Sequence, residues 1–198
     1  MKILIVGASG TIGKAVAAEL SARHEIVTAG RSSGDLRVDI ADPASVRDLY
    51  ERAGKLDAVA CCAGNVHFGP LETMTAQEFD VGLRDKLMGQ VNLVLAGHER
   101  VQQGGSFTLI SGILSRDPIR YGASASMVNG ALESFVRAAA IELPAHRINA
   151  VSPTVLEESA QEYGPYFRGY VPVPVRLVAL AYSKSIEGLQ TGQIYTVP

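Results

Sequence analysis

The first thirteen residues, MKILIVGASGTIG, constrain this chain more than any other stretch. Ile3, Leu4, Ile5 and Val6 form a short run of branched apolar residues, the pattern of a strand buried on both faces. The run breaks into Gly7-Ala8-Ser9-Gly10-Thr11-Ile12-Gly13, and an Ala-rich helical pattern over residues 14–23 follows. Each glycine answers a separate need. Gly7 allows a tight turn off the strand, Gly10 lets a phosphate approach the backbone, and Gly13 lets the helix lie close to the sheet. The free N–H groups and dipole of the helix N-terminus then favour a pyrophosphate.

The remaining chain alternates strand and helix patterns. Residues 25–29 read as a second strand, and residues 36–40 as a third. The link between them is too short for a crossover helix of about a dozen residues, so a stunted third strand is expected. Asp42 reads as an N-cap with Pro43 at the first helical position, and Val46, Leu49 and Tyr50 form that helix's apolar face. Residues 56–61 predict a fourth strand. Thr75 with Glu78 makes a capping box. A helix is expected from about Asp85 to Gln103, stopped by Gly104-Gly105, before a fifth strand over 107–110. A long Ala-, Ser- and Gly-rich helix over 123–143, a sixth strand over 147–151, a last helix starting at Pro172 or Pro174, and a strand over 193–197 complete the series. Such alternation predicts an α/β fold with a doubly wound parallel sheet. Residues 157–174, rich in Tyr, Pro and Gly, suit a flap over a pocket.

With 198 residues and 47% apolar content, the chain suffices for one domain spanning 1–198. A net charge of −2 without clusters of either sign gives no basis for nucleic-acid binding or an anionic membrane surface. No apolar run approaches the roughly 20 residues that span a bilayer, and the N-terminal run is too short for a signal peptide. Adjacent Cys61 and Cys62, at a strand end, are expected on opposite faces and unpaired, and reduced thiols favour a cytoplasmic location. His24, His98 and His146 have no Cys or carboxylate partner at metal-ligand spacing, so no metal site is expected.

The glycine spacing G-x-x-x-G-x-G resembles that of the short-chain dehydrogenase/reductase family, and the resemblance runs over nearly the whole chain. It implies an NAD(P)-binding Rossmann-like fold in which Gly7, Ser9, Gly10, Thr11, Ile12 and Gly13 surround the cofactor's phosphates. Arg31, with Ser32, stands where an NAD-preferring member usually places an acid. An Arg there suits the extra phosphate of NADP, so NADPH is expected over NADH; the alternative is a solvated loop charge. Asp39-Ile40 matches the family's acidic position beside the adenine. Cys62-Ala63-Gly64 matches the Asn-Ala-Gly turn, with Cys in place of Asn. Pro153 and Val155 match the turn beside the nicotinamide carboxamide, with Thr154 in place of Gly.

The catalytic pattern departs from the family. There a Tyr passes the proton, a Lys four residues later lowers its pKa, a Ser holds the substrate oxygen and an Asn supports a relay water. Aligned on residues 129–143, the Tyr position is Ala125, the Lys position Asn129, the Ser position Gly112 beside Ser111, and the Asn position Lys86. Sliding the register to Tyr121 puts Ala125, not Lys, four residues on. A positioned general acid contributes about 10²–10⁴-fold, so ordinary alcohol oxidation should be very slow. Yet Asn and Lys have exchanged helices: Lys86 can still bring a positive charge to the nicotinamide ribose, with Asn129 as its neutral partner. The missing hydroxyl is then sought in Tyr121, Ser111, Ser124 or a water polarised by Lys86.

The candidate catalytic set is therefore Lys86, Ser111, Tyr121 and Asn129. The expected function is an NADP(H)-dependent oxidoreductase with a non-standard site, acting on a small-molecule carbonyl or other hydride acceptor. The alternative is a catalytically inactive dinucleotide-binding regulatory or interaction module. Because the family's dimer interface uses the helix over 123–143 and the one before it, a homodimer or homotetramer is expected.

Overall fold

The computed structural model describes residues 1–198. Seven parallel strands lie in the order β3-β2-β1-β4-β5-β6-β7: β1 Lys2–Val6, β2 Glu25–Gly30, β3 Leu36–Arg37, β4 Leu56–Cys61, β5 Val101–Ile110, β6 Arg147–Pro153 and β7 Ile194–Val197. Ile3 and Ile5 point to one face, into a cluster with Val16 and Leu20 of α1 (Thr11–Ser21) and Val178, Tyr182 and Ile186 of α7 (Val175–Glu187). Leu4 and Val6 point to the other. There they meet Val46 and Leu49 of α2 (Pro43–Ala53), Leu93 and Val94 of α4 (Gly89–Gly97), and Val128, Leu132 and Val136 of α5 (Ala123–Glu142). This two-sided burial explains why β1 reads as an unbroken apolar run. Cys61 and Cys62 are free thiols and fall in opposite layers. The sheet is the doubly wound α/β architecture expected from the sequence.

Local signals survive intact. Asp42 accepts the Ala44 N–H with Pro43 at the helix start, and Thr75 and Glu78 form the full capping box of α3 (Ala76–Val81). The third strand is indeed stunted, two residues long, and only five residues link it to β2.

The segment from 82 to 103 differs from expectation. A π-helical turn occupies Gly82–Met88, α4 ends at Gly97, and β5 begins at Val101 instead of 107. Val101 is buried and pairs with Leu56, while the register then skips so that Ser106 pairs near Ala58. Burying Val101 in the sheet thus overrides the polar helical pattern of residues 98–103, and Gly104, at φ +83°, turns within the resulting bulge. The flap over 157–174 is not wholly irregular: it holds a 3-10 turn, Glu157–Ser159, and a one-turn helix α6, Ala160–Tyr163.

Candidate functional site

Two adjoining clefts open where the chain leaves the carboxyl ends of β1, β4, β5 and β6, the usual ligand crevice of an open α/β sheet. The first, about 320 Å³, is lined by Gly7, Ser9 and Gly10 of the glycine turn, by Arg31, Ser32 and Ile40, by Cys62, Ala63 and Gly64, and by Asn65 and Asp85. The second, about 330 Å³, shares Cys62, Ala63 and Gly64 and adds Ile12, Lys86, Ser111, Gly112, Asn129, Pro153, Thr154 and Val155. Thr11, Gly13 and Asp39 line neither. Thr11 is exposed at the start of α1, Gly13 lies buried beneath the turn, and Asp39 pairs with Arg31 at 3.6 Å and accepts the Ala41 N–H.

The glycine turn fits a dinucleotide. Gly7 sits at φ +85°, where a Cβ would also lie 2.9 Å from the Ala63 Cβ. A Cβ at Gly13 would stand 2.1 Å from the Gly7 carbonyl oxygen, so only glycine lets α1 descend onto the turn. A Cβ at Gly10 would meet only the Gly7 carbonyl oxygen, at an ordinary 3.5 Å. The first turn of α1 carries no side-chain cap and no acid, leaving its N–H groups to an incoming anion. At the far end, Asn129 Oδ1 and Thr154 Oγ1 are buried polar atoms without a hydrogen-bond partner, and both residues line the second cleft. Orphaned acceptors of this kind call for a polar ligand. The Val155 N–H makes no hydrogen bond within the chain either, its carbonyl being taken by the Val173 N–H.

Lys86 and Asn129 meet at the same place. Lys86 Nζ donates to the Ser111 carbonyl at 3.1 Å, and Asn129 Nδ2 to the next carbonyl, Gly112, at 3.4 Å. The stem of Lys86 passes over Gly64, where a Cβ would sit 2.8 Å from its Cγ. Lys86 has no carboxylate within ion-pair distance, and burial pushes its ammonium down to about 8. Its neighbour Asp85 faces the first cleft instead. Asp85 pairs with Arg31 at 3.3 Å and accepts from the Asn65 N–H and side-chain amide.

The three hydroxyls expected at the site are engaged or lie elsewhere. Ser111 Oγ is 3.0 Å from Glu133 Oε1, to which it donates, so its hydroxyl is engaged by that carboxylate. Glu133, itself buried, also accepts from Ser115 and Ser152, with Arg116 and Arg137 3.8 and 3.7 Å away. Tyr121 lines a third chamber with Phe68, Ile119, Glu162, Tyr163 and Tyr166, not the cleft that holds Lys86. Ser124 is fully buried and lines none of these clefts. No tyrosine in the chain has a lysine four residues later.

Sequence reasoning missed Asp85, Asn65, Thr154 as an orphaned hydroxyl, and the Glu133 clasp. Asp85 carried a signal, since an acid beside Lys86 could have been followed across the cleft. The Glu133 clasp joins residues 18 to 22 apart on separate elements, which no local pattern encodes. No grouping of His, Cys, Asp and Glu suits a metal ion, and no helix is long and apolar enough to cross a membrane.

The sequence pattern of the family described as "Enoyl-(Acyl carrier protein) reductase" matches residues 7–170. Versicolorin reductase stcU of Emericella nidulans is 29% identical over 180 residues, covering 78% of this chain and 68% of that one. Trihydroxynaphthalene reductase PfmaI of Pestalotiopsis fici is 27% identical over 195 residues, covering 85% and 68%. Among solved structures, the protein lin1944 from Listeria innocua superposes over 100% of both chains with a TM-score of 0.98 at 49% identity. A small-chain dehydrogenase in complex with NADPH superposes over 100% of this chain and 96% of that one, with a TM-score of 0.90 at 27% identity. The glycine turn, the sheet order and these likenesses agree: the chain belongs to the short-chain dehydrogenase/reductase family, a family of nicotinamide-dinucleotide oxidoreductases.

Proposed function

We propose that this protein is an NADP(H)-dependent reductase of a small-molecule hydride acceptor in which Lys86 is the proton donor. The observation that carries this reading is the placement of the Lys86 ammonium: in the cleft, unpaired with any carboxylate, beside Asn129 and its unsatisfied oxygen. The glycine turn and the N-terminus of α1 would hold the pyrophosphate. Arg31 would meet the 2′-phosphate, and Asn129, Thr154 and the Val155 N–H would meet the nicotinamide riboside. Bound there, the nicotinamide supplies the hydride.

The chain's own residues do the rest. Lys86 offers N–H donors toward the acceptor oxygen, and its depressed pKa makes it a better acid than an ordinary lysine. Asn129 can accept a ribose hydroxyl at the position where the family keeps its lysine. Ser111 takes no direct part, because its hydroxyl is bound to Glu133. It contributes its carbonyl, which fixes the Lys86 ammonium.

Calorimetric titration of NADPH and NADH into the wild type and Lys86→Met tests the reading, followed by NADPH oxidation with a panel of acceptors. Micromolar NADPH binding, with turnover lost in Lys86→Met, supports it. Absence of nucleotide binding up to millimolar would overturn it.

A further inference from the structure

The chamber that holds Tyr121 has no part in the reading above. It adjoins the Lys86 cleft through Phe68 and Tyr163, which line both and whose ring centroids are 6.3 Å apart. Its volume is about 330 Å³, and five of its six lining residues are apolar or aromatic. Tyr121 and Tyr166 meet edge to face, centroids 6.4 Å apart, and the Arg120 guanidinium covers one face of Tyr121 at 4.7 Å. Glu162 is the only charged lining residue, so an anionic ligand is disfavoured and a flat uncharged ring is favoured. Tyr121 is the one non-glycine residue at positive φ, +68°. Its carbonyl accepts the Gly69 N–H at 3.1 Å, which ties the loop after β4 to this wall. Backbone strain at a bulky residue concentrates at ligand clamps.

The acid available next door limits what such a ring can be. Reduction of an ordinary ketone leaves an alkoxide, whose conjugate acid resembles water with a pKa near 16. A phenol has a pKa of about 10. An acceptor whose reduced oxygen is phenolic therefore needs far less proton assistance, which matches a site without the family's tyrosine. We propose that the aromatic chamber seats the far ring of the acceptor, whose reacting end reaches past Phe68 and Tyr163 into the Lys86 cleft, and that this acceptor is an uncharged quinone. This rests on the reductase reading above. The C–H bond of the reduced nicotinamide breaks and its hydride adds to one quinone oxygen; the electron pair aromatises the ring and leaves the other oxygen a phenolate, which takes one proton from Lys86. Both carbonyls become phenolic C–O–H groups, the nicotinamide is oxidised, and Lys86 regains its proton from water.

The test is calorimetric titration of 2,3-dimethyl-1,4-naphthoquinone with and without saturating NADP⁺, beside cyclohexanone as an aliphatic control. The substituted ring leaves the Cys62 thiol no free position for addition. The expected result is micromolar quinone binding at least tenfold tighter than cyclohexanone. Tyr166→Ala and Phe68→Ala should each weaken it about tenfold, and Tyr166→Ala, which lines the aromatic chamber but not the second cleft, should leave NADP⁺ affinity unchanged. Both side chains are at least 40% exposed, so neither change should unfold the chain. Equal binding of cyclohexanone, or wild-type quinone affinity in both variants, would overturn the proposal. Nucleotide binding without quinone binding sinks the acceptor assignment alone. Quinone binding without nucleotide binding keeps ring recognition and sinks the reductase reading.

Discussion

Burial of Lys86 without a counter-charge has consequences that two pH experiments can read. Its ammonium is pushed down to about 8, whereas in the unfolded chain it keeps its ordinary value of 10.5. Between these two values the unfolded chain binds more protons, so this group makes stability rise with pH from about 8 to 10.5. As proton donor, however, it must be charged. The rate of acceptor reduction should be flat below pH 8 and fall about tenfold per unit above it, and Lys86→Met should abolish both the break and most of the rate. A pH profile of kcat for wild type against variant decides this; a break unchanged in Lys86→Met removes Lys86 as donor. Arg31 poses a competition. Its guanidinium is shared by Asp85 at 3.3 Å and Asp39 at 3.6 Å, two carboxylates that an incoming 2′-phosphate must face. Loss of a charged hydrogen bond costs about 1.5–3 kcal/mol. Arg31→Ala should therefore weaken NADPH roughly ten- to a hundredfold and NADH hardly at all. Asp85→Asn should tighten NADPH several-fold by removing a like charge. Unchanged NADPH affinity in both variants would mean that Arg31 serves only its acidic neighbours.

The element that organises the catalytic side is α5, through one residue. Glu133 receives hydroxyls from the end of β5 (Ser111), the turn after it (Ser115) and β6 (Ser152), and so clamps both strand ends that floor the second cleft. Removing the carboxylate whose Oε1 accepts all three hydroxyls strands them, at about 1–3 kcal/mol for each one left buried. Glu133→Ala should lower the melting temperature by roughly 10 °C, at about 2–4 °C per kcal/mol for a chain of this size. Differential scanning calorimetry checks it, and a shift under about 3 °C would show the clasp to be dispensable. What could be read from the sequence tracks how local each signal is. The glycine turn, the Asp42-Pro43 start and the Thr75/Glu78 box are written within a few adjacent residues, and each stands in the fold as read. α4 ends earlier than its sequence pattern predicts because Val101's pairing with Leu56, a contact 45 residues away, decides it. The π turn at Gly82–Met88 leaves no apolar period to detect, although it carries both Asp85 and Lys86. The exchange of Lys86 with Asn129 was legible only through resemblance. The committed hydroxyl of Ser111 and the separate chamber of Tyr121 were not legible at all, since both depend on long-range packing.

At the scale of the molecule, the two outer layers differ in what they leave uncovered. On α5, Met127, Gly130, Ser134, Ala138 and Ile141 recur at three- and four-residue intervals and form one uncharged stripe, with Met127 43% and Ile141 82% exposed. Alongside it, α4 and the turn before it present Leu95 and Met88, 59% and 44% exposed. A Cβ at Gly130 would meet nothing within 4 Å, so no contact inside the chain accounts for a glycine in mid-helix. Such a glycine costs about 0.5–1 kcal/mol relative to alanine. Close approach of another helix would offset that cost, and an isologous pair brings the same stripe of a second copy against it. We expect a homodimer through α4 and α5, with a mass by light scattering of about twice the chain's 21.0 kDa. Leu95→Glu would set two carboxylates into the buried core of a patch that must cover about 1,200–2,000 Å² to be stable. It should return the protein to 21.0 kDa without lowering the monomer's stability, because Leu95 packs little within its own chain. Gly130→Ala separates the two readings of the stripe. In a monomer, it should raise stability by about 1 kcal/mol through helix propensity alone. In a dimer, the added methyl groups collide across the axis, and the dissociation constant should rise instead. A wild type that sediments as a single 21.0 kDa chain, stabilised by Gly130→Ala, would leave the stripe as ordinary surface.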